Sequence, residues 1–293
     1  MSATHGTDDP RAAPRWERLS TLPSAVLGEA RLQLHHAAQI IVSAPISYLP
    51  PQPDDGHTNL EWLPALGVLA TRPLPSPDDL RFALRVSELA LCAVAGGAQR
   101  ACLPLEGRTL AEGVAWVAAA LQRAGFDDAR LTTRKHYEIP GHAVATGAPF
   151  GASAHALDEL AHAYHDAWLL TTALAAREPG ASPPRCWPHH FDLATLITLP
   201  AAPDGVTPTI GVGLSPGDEW YADPYLYVGP YPHPAVTALP ALPRGHWHTA
   251  GWVGAVRELS AVAAVGDGPA QADDASRFVS EAVAACRQVL RVT

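Results

Sequence analysis

Two long segments with apolar residues at helical spacing each stand ahead of several short strand-like runs and a closing helix. That order limits the chain to a mixed fold. From Ser24 to Ser43, Leu27, Leu34, Ala38, Ile41 and Val42 fall near helical spacing, between Pro23 and Pro45. The loop from Pro50 to Gly56 follows. Leu66–Thr71 and Arg81–Val94 read as strands, and Gly96-Gly97 turns the chain back into a strand over Arg100–Leu105. Thr109-Leu110-Ala111-Glu112 is a capping box; Leu110, Val114, Val117 and Leu121 form the stripe of the helix it opens, and Gly125 ends it.

The second half repeats the order. A helix is expected over Ala154–Arg177, then strands over Pro188–Leu199, Thr209–Leu214, Tyr225–Val228 and Thr249–Val256. A final helix, capped by Asp273 or Asp274, carries Phe278, Val279, Ala282, Val283, Cys286 and Leu290. The expected fold class is α+β, with two consecutive helix–strands–helix halves and mostly antiparallel sheet packed against helices. Residues 1–20 are expected to be a disordered tail, 21–150 the N-terminal half and 151–293 the C-terminal half, forming one domain or two. The two halves could be structurally related.

Composition narrows the partners. With 47% hydrophobic and 17% charged residues the chain has the makeup of a globular protein. A net charge of −9 argues against nucleic acid as a partner, because phosphate backbones call for clustered cations. No apolar run reaches the ~20 residues of a membrane span, so no membrane partner is expected. Met1–Trp16 lacks the apolar core of a signal peptide, which predicts a cytoplasmic protein. Cys92, Cys102, Cys186 and Cys286 are widely spaced, and this predicts buried thiols in a reducing compartment rather than a disulfide framework.

The chemistry concentrates in Cys186-Trp187-Pro188-His189-His190-Phe191-Asp192-Leu193. Read as a strand, this stretch puts His190 and Asp192 on one face and His189 on the other. In Gly245-His246-Trp247-His248-Thr249, His246 and His248 likewise share a side. Together His190, Asp192, His246 and His248 could ligate a divalent metal such as iron, zinc or manganese. With Arg257 beyond, the pattern loosely resembles 2-oxoglutarate-dependent non-haem iron oxygenases, in which an arginine binds the cosubstrate carboxylate. Those enzymes use a jelly roll, and this region holds too few strands for one.

The loop from Ser215 to Tyr227 adds Glu219 as a candidate general acid/base, with Trp220, Tyr221 and Tyr225 as substrate-binding walls. Turn chemistry at Pro216-Gly217-Asp218 accounts for part of the same segment. Lys135–His142, and His57 and Glu61, read either as polar connectors or as the lining of a cleft between the halves. Cys186 beside His189 and His190 could form a thiolate pair. No nucleophile elbow or phosphate-binding glycine loop occurs.

The stretches Arg185–Asp192, Gly211–Asp218 and Gly245–Thr249, with Gln39-Ile40-Ile41 and Tyr137–Pro140, resemble a bacterial family of unknown function. A more distant domain family shows the same order of elements, with a Ser-Phe-Asp-Leu stretch in place of His190–Leu193. The resemblance implies no particular activity. Two functional readings therefore stand: a metal-dependent enzyme acting on a small molecule in a His/aromatic pocket, or a non-catalytic ligand-binding or protein-interaction module with structural histidines.

Overall fold

The computed structural model describes residues 14–201 and 205–292. Its N-terminal half runs α1 (Ser24–Tyr48), β1 (Glu61–Leu63), β2 (Val68–Ala70), β3 (Arg81–Arg85), β4 (Ala90–Ala95), β5 (Ala98–Pro104) and α2 (Leu110–Arg123). The C-terminal half runs α3 (Ala154–Arg177), β6 (Arg185–Trp187), β7 (Asp192–Thr198), β8 (Thr209–Ser215), β9 (Tyr225–Tyr231), β10 (His246–His248), β11 (Gly254–Glu258), α4 (Leu259–Ala263) and α5 (Gly268–Val292). This is an α+β fold with two antiparallel sheets, in the orders β1-β2-β3-β4-β5 and β10-β11-β9-β8-β7-β6. No helix among the described residues is long and apolar enough to cross a membrane.

The sheets meet edge to edge. Leu60, just before β1, exchanges two backbone hydrogen bonds of 2.8 Å with Cys186 of β6. One hydrophobic core underlies both sheets, drawing Leu34 and Ile41 from α1, Phe82 from β3, Leu160 and Tyr164 from α3, Val228 from β9 and Phe278 from α5. α1 is buried along most of its length, so its polar residues Gln33, His35, His36, Gln39 and Ser43 are buried with it. Such groups must find hydrogen-bond partners inside the protein. Pro45 lies in the last turn of α1 and the helix continues past it to Tyr48, because a proline there removes only one helical hydrogen bond.

Local signals set several boundaries. The Thr109–Glu112 capping box is present in both directions, and α3 spans Ala154–Arg177 as expected. Gly125, in a left-handed conformation, follows α2. Three expectations need correction. Residues 14–20 are not a free tail: the Leu19 amide and carbonyl both bond the Gln271 side chain, and the Glu17 amide donates to Asp166 at 2.8 Å. The earlier part of that expected tail, 1–13, lies outside the described residues. α5 starts at Gly268, where the Asp267 carboxylate accepts from the Ala270 amide, and Asp273 and Asp274 fall inside the helix. Finally, Cys92 and Cys102 form a disulfide. The Gly96-Gly97 hairpin makes them direct cross-strand partners with Cα atoms 4.1 Å apart, a proximity that linear spacing hides. Cys186 and Cys286 are buried free thiols.

Asp166 sits beneath the 14–20 segment, with its second carboxylate oxygen buried and unpartnered. Burial raises its pKa to about 9. The unfolded chain releases this proton near 3.8, the ordinary value for an aspartate. Between those values the folded state holds more protons, so stability falls as pH rises through the window. Asp166→Asn is therefore expected to raise the melting temperature at pH 8 and to change it little at pH 4. Thermal unfolding of both proteins at the two pH values checks this.

Candidate functional site

The Cys186–Leu193 stretch is a hairpin rather than one strand. β6 ends at Trp187, β7 starts at Asp192, and Pro188–Phe191 form the turn, with Phe191 at φ 58°. Side-chain alternation therefore does not carry through it, and His190 is an exposed turn residue. The turn is held from two helices. The Pro188 carbonyl accepts from His35 Nε2 and Gln39 Nε2, both at 2.8 Å. The Phe191 carbonyl accepts from the Tyr164 hydroxyl at 2.5 Å. Phe191, 0% exposed, stacks on His35 with ring centroids 5.2 Å apart. The Lys135–His142 segment packs on the same helix: Tyr137 donates to Gln39, and His36 donates to the Pro140 carbonyl.

Asp192 accepts from the Tyr227 hydroxyl at 2.5 Å, and its other oxygen is buried without a partner. Burial raises its pKa, against the opposing effects of the Tyr227 hydrogen bond and the charge of His190. The Cys186 thiol is pushed up by burial as well, which disfavours the thiolate needed for nucleophilic chemistry.

His246 and His248 share a face of β10, as expected, opposite Val256 and Gly254 of β11. Tyr221 joins them: its hydroxyl lies 2.9 Å from His246 Nε2 and 3.0 Å from His248 Nδ1. His248 Nε2 lies 2.6 Å from the Ala250 carbonyl, which can only accept, so Nε2 carries the proton. Nδ1 of the neutral ring then accepts from Tyr221, whose oxygen in turn accepts from His246 Nε2–H. Both nitrogens of His248 are thereby engaged. Around this chain lie Trp252, stacked on His248 at 4.5 Å, and Tyr225, 4.8 Å from Tyr221. Sequence reading missed Trp252, because the expected strand over Thr249–Val256 begins only at Gly254 and the preceding loop folds the indole back over His248.

The two candidate ligand pairs do not meet. Strand order runs β7-β8-β9-β11-β10, and four inter-strand spacings of ~4.8 Å put Asp192 about 19 Å from the β10 histidines. Ligands of one ion must each come within ~2 Å of it. Among the described residues no group of three or more His, Cys, Asp or Glu side chains is arranged to hold a metal. Arg257 aligns with Leu226 on the helix-facing side of the sheet, and its guanidinium binds Asp274 at 2.9 Å. It therefore points away from the histidines. Glu219 is exposed at its loop, where no described side chain engages it. The neighbouring Asp218 is the structural carboxylate, accepting from the amides of Trp220 and Tyr221 and from the Tyr225 hydroxyl. Trp220 is 46% exposed beside His248.

A cavity of about 470 Å³ lies elsewhere, lined by Leu49, Pro50, Gln52, His57, Glu61, Arg72, Pro73 and Arg81. Register explains its polar wall. Glu61 of β1 opposes Ala70 of β2, and Ala70 opposes Ala83 of β3. Beyond Ala70 the Thr71 amide bonds the Phe82 carbonyl, and the Thr71 carbonyl accepts from Arg81 Nε at 2.6 Å. The Leu60–Cys186 bridge at the seam brings Arg185 beside Glu61. Glu61 pairs with Arg81 at 2.6 Å and with Arg185 at 3.7 Å. Burial alone would raise the Glu61 pKa, but the hydrogen bond and charge of Arg81, with the charges of Arg185 and Arg72, outweigh it and lower the pKa. Sequence reading named His57 and Glu61 as cleft candidates but missed the arginines. Arg72, Arg81 and Arg185 are scattered along the chain, and only register assembles them.

His35 is held neutral, its pKa lowered to about 4 by burial, against 6.5 for the free imidazole. Between those values the unfolded chain binds the extra proton, so stability is lost as pH falls from about 6.5 towards 4. His35→Gln keeps a donor for Pro188 but cannot be protonated. Its stability deficit relative to wild type, from urea unfolding, should shrink on going from pH 7 to pH 5 by on the order of 2 kcal/mol. Tyr164→Phe strands the buried Phe191 carbonyl and should cost about 1–3 kcal/mol in the same assay. The chain matches no family model, no curated protein and no solved structure at a significant level.

Proposed function

We propose that this protein is a non-catalytic module that binds a small molecule in the cleft beside β1 and β3 of its N-terminal half, with its histidines serving structure. One observation carries this reading: the cleft of about 470 Å³ falls within the size range of small-molecule sites and combines apolar walls with a few polar groups. Leu49, Pro50 and Pro73 offer flat apolar contact, while His57, Gln52 and the Arg/Glu row offer orientation.

The state of the histidines supports the non-catalytic part. His35, His36 and His248 donate to backbone carbonyls, and His246 is tied to Tyr221. Recruiting His248 to a metal through Nδ1 would break its hydrogen bond with Tyr221 within an aromatic cluster. Glu219, the candidate acid/base, faces solvent, and no described side chain engages it.

Ligand-observed NMR with a small-fragment mixture tests the proposal. Fragments should bind the wild-type protein, and Pro73→Trp, which places an indole at the exposed rim of the cleft, should abolish that binding without lowering the melting temperature. Trp220→Ala should leave it unchanged. Binding that survives Pro73→Trp would overturn the assignment. So would stoichiometric metal in untagged protein that is lost in His190→Ala and in His248→Ala, a result that would favour a metal-dependent enzyme.

A further inference from the structure

The polar groups that line the cleft differ in how far the fold already engages them. Glu61 is fully paired: Oε2 accepts from Arg81 at 2.6 Å, and Arg185 approaches Oε1 at 3.7 Å from outside the lining. Arg81 is committed as well, since Nε donates to the Thr71 carbonyl at 2.6 Å and Nη2 to Glu61. Arg72 is different. It lines the cleft partly buried, and no hydrogen bond or ion pair engages its guanidinium among the described residues. His57 supplies a second free donor. Its Nδ1 accepts from the Gln52 amide at 3.2 Å, so the ring proton is on Nε2, where no described group accepts it. Gln52 is exposed and its side-chain amide can donate or accept, so it does not discriminate. By charge the lining holds Arg72, Arg81 and Glu61, one positive charge in excess, in a protein whose net charge is −9.

We propose that the cleft binds a small apolar acid through a single carboxylate, with that carboxylate on Arg72 and the body of the ligand against Leu49, Pro50 and Pro73. The free groups of the lining are a cationic fork and a ring N–H, so the matching ligand brings acceptors rather than donors. A guanidinium with no bonds of its own offers parallel N–H groups to the two coplanar oxygens of a carboxylate. Charge sets the number. One carboxylate cancels the excess that remains after Glu61 and Arg81 have paired. A dianion would bring its second charge into a lining that has no free cation left to meet it, and an unpaired charge is costly to take out of water. A cation would be repelled by Arg72, and a neutral ligand would leave that guanidinium without a partner. The cleft of about 470 Å³ has room for much more than a carboxylate, and the three apolar residues give the rest of the acid its contact.

This ligand class rests on the binding-module reading, and the experiment lets the two fail separately. It is isothermal titration at pH 8 and low salt with benzoate, phenyl phosphate, benzyl alcohol and benzylamine. Benzoate should bind the wild-type protein about tenfold or more tighter than benzyl alcohol and benzylamine, and no more weakly than phenyl phosphate. Added salt should weaken it. Arg72→Met should lower the benzoate affinity by about tenfold or more and leave benzyl alcohol unchanged. Arg85→Met, a change outside the lining at a residue paired with Glu88, should alter neither. Arg72→Glu should reverse the preference, so that benzylamine binds better than benzoate, a gain that structural damage would not produce. Tighter binding of phenyl phosphate than of benzoate, no effect of Arg72→Met, or an unreversed preference in Arg72→Glu would overturn the carboxylate assignment. If benzyl alcohol binds as well as benzoate and Pro73→Trp blocks both, the binding module stands and its anion selectivity falls. The same holds if fragments bind in a manner that Pro73→Trp abolishes while none of these probes does. If no fragment and no probe binds, or if binding survives Pro73→Trp, both fall.

Discussion

The Pro188–Phe191 turn is where the structure is pinned. Two carbonyls of that turn are captured from two helices, Pro188 by His35 and Gln39 of α1, and Phe191 by Tyr164 of α3. Each bond joins groups buried away from water, where an unpaired polar atom is expensive. The turn therefore cannot shift without stranding partners on both helices. β6 leads into this turn, and β6 also carries Cys186, whose backbone joins the second sheet to the first through Leu60. Helix packing, the hairpin and the seam are thus one connected arrangement, and Glu61 of the cleft wall, paired with Arg185, inherits its position from it.

The C-terminal sheet uses its polar aromatics differently. Tyr227 to Asp192, Tyr225 to Asp218 and Tyr221 to the two β10 histidines give each hydroxyl a specific partner. The rings meanwhile stack with Trp252 and with one another. Glycines make room for this layer. Gly213 sits so close to β7 that an added Cβ would fall 2.4 Å from the Leu193 carbonyl, and beside it the Tyr227 side chain reaches Asp192. A group of histidines, tyrosines and an aspartate that suggests metal chemistry in one dimension is here a set of paired donors and acceptors.

Legibility followed the range of the interaction responsible. The capping box at Thr109–Glu112, the turn at Gly96-Gly97 and the span of α3 are set by residues a few positions apart, and they could be read directly. The shared side of His246 and His248 is a period-two effect within one strand, and it was legible too. The shared face of His190 and Asp192 was not, because Phe191 takes a left-handed conformation and turns the chain back. That conformation is unusual for a bulky side chain and is held by the stacking on His35 and the Tyr164 bond, both contributed by residues far away in sequence. The break of the expected Arg81–Val94 region into β3 and β4 has the same origin on a smaller scale, with Leu89 at φ 45°.

By itself the sequence determined the α+β class, the alternation of long helices with groups of strands and the antiparallel character of the sheets, because periodicity and turn residues act over short separations. Tertiary structure decided which residues share a site. Strand order carried Asp192 and the β10 histidines apart, and the opposite face of β11 took Arg257 away from them. Register across three strands and one bridge drew Arg72, Arg81, Arg185 and Glu61 together from four places in the chain. The physical reason is that lateral pairing in a sheet joins residues regardless of their separation along the chain. A cluster close in sequence can therefore disperse, while scattered arginines converge.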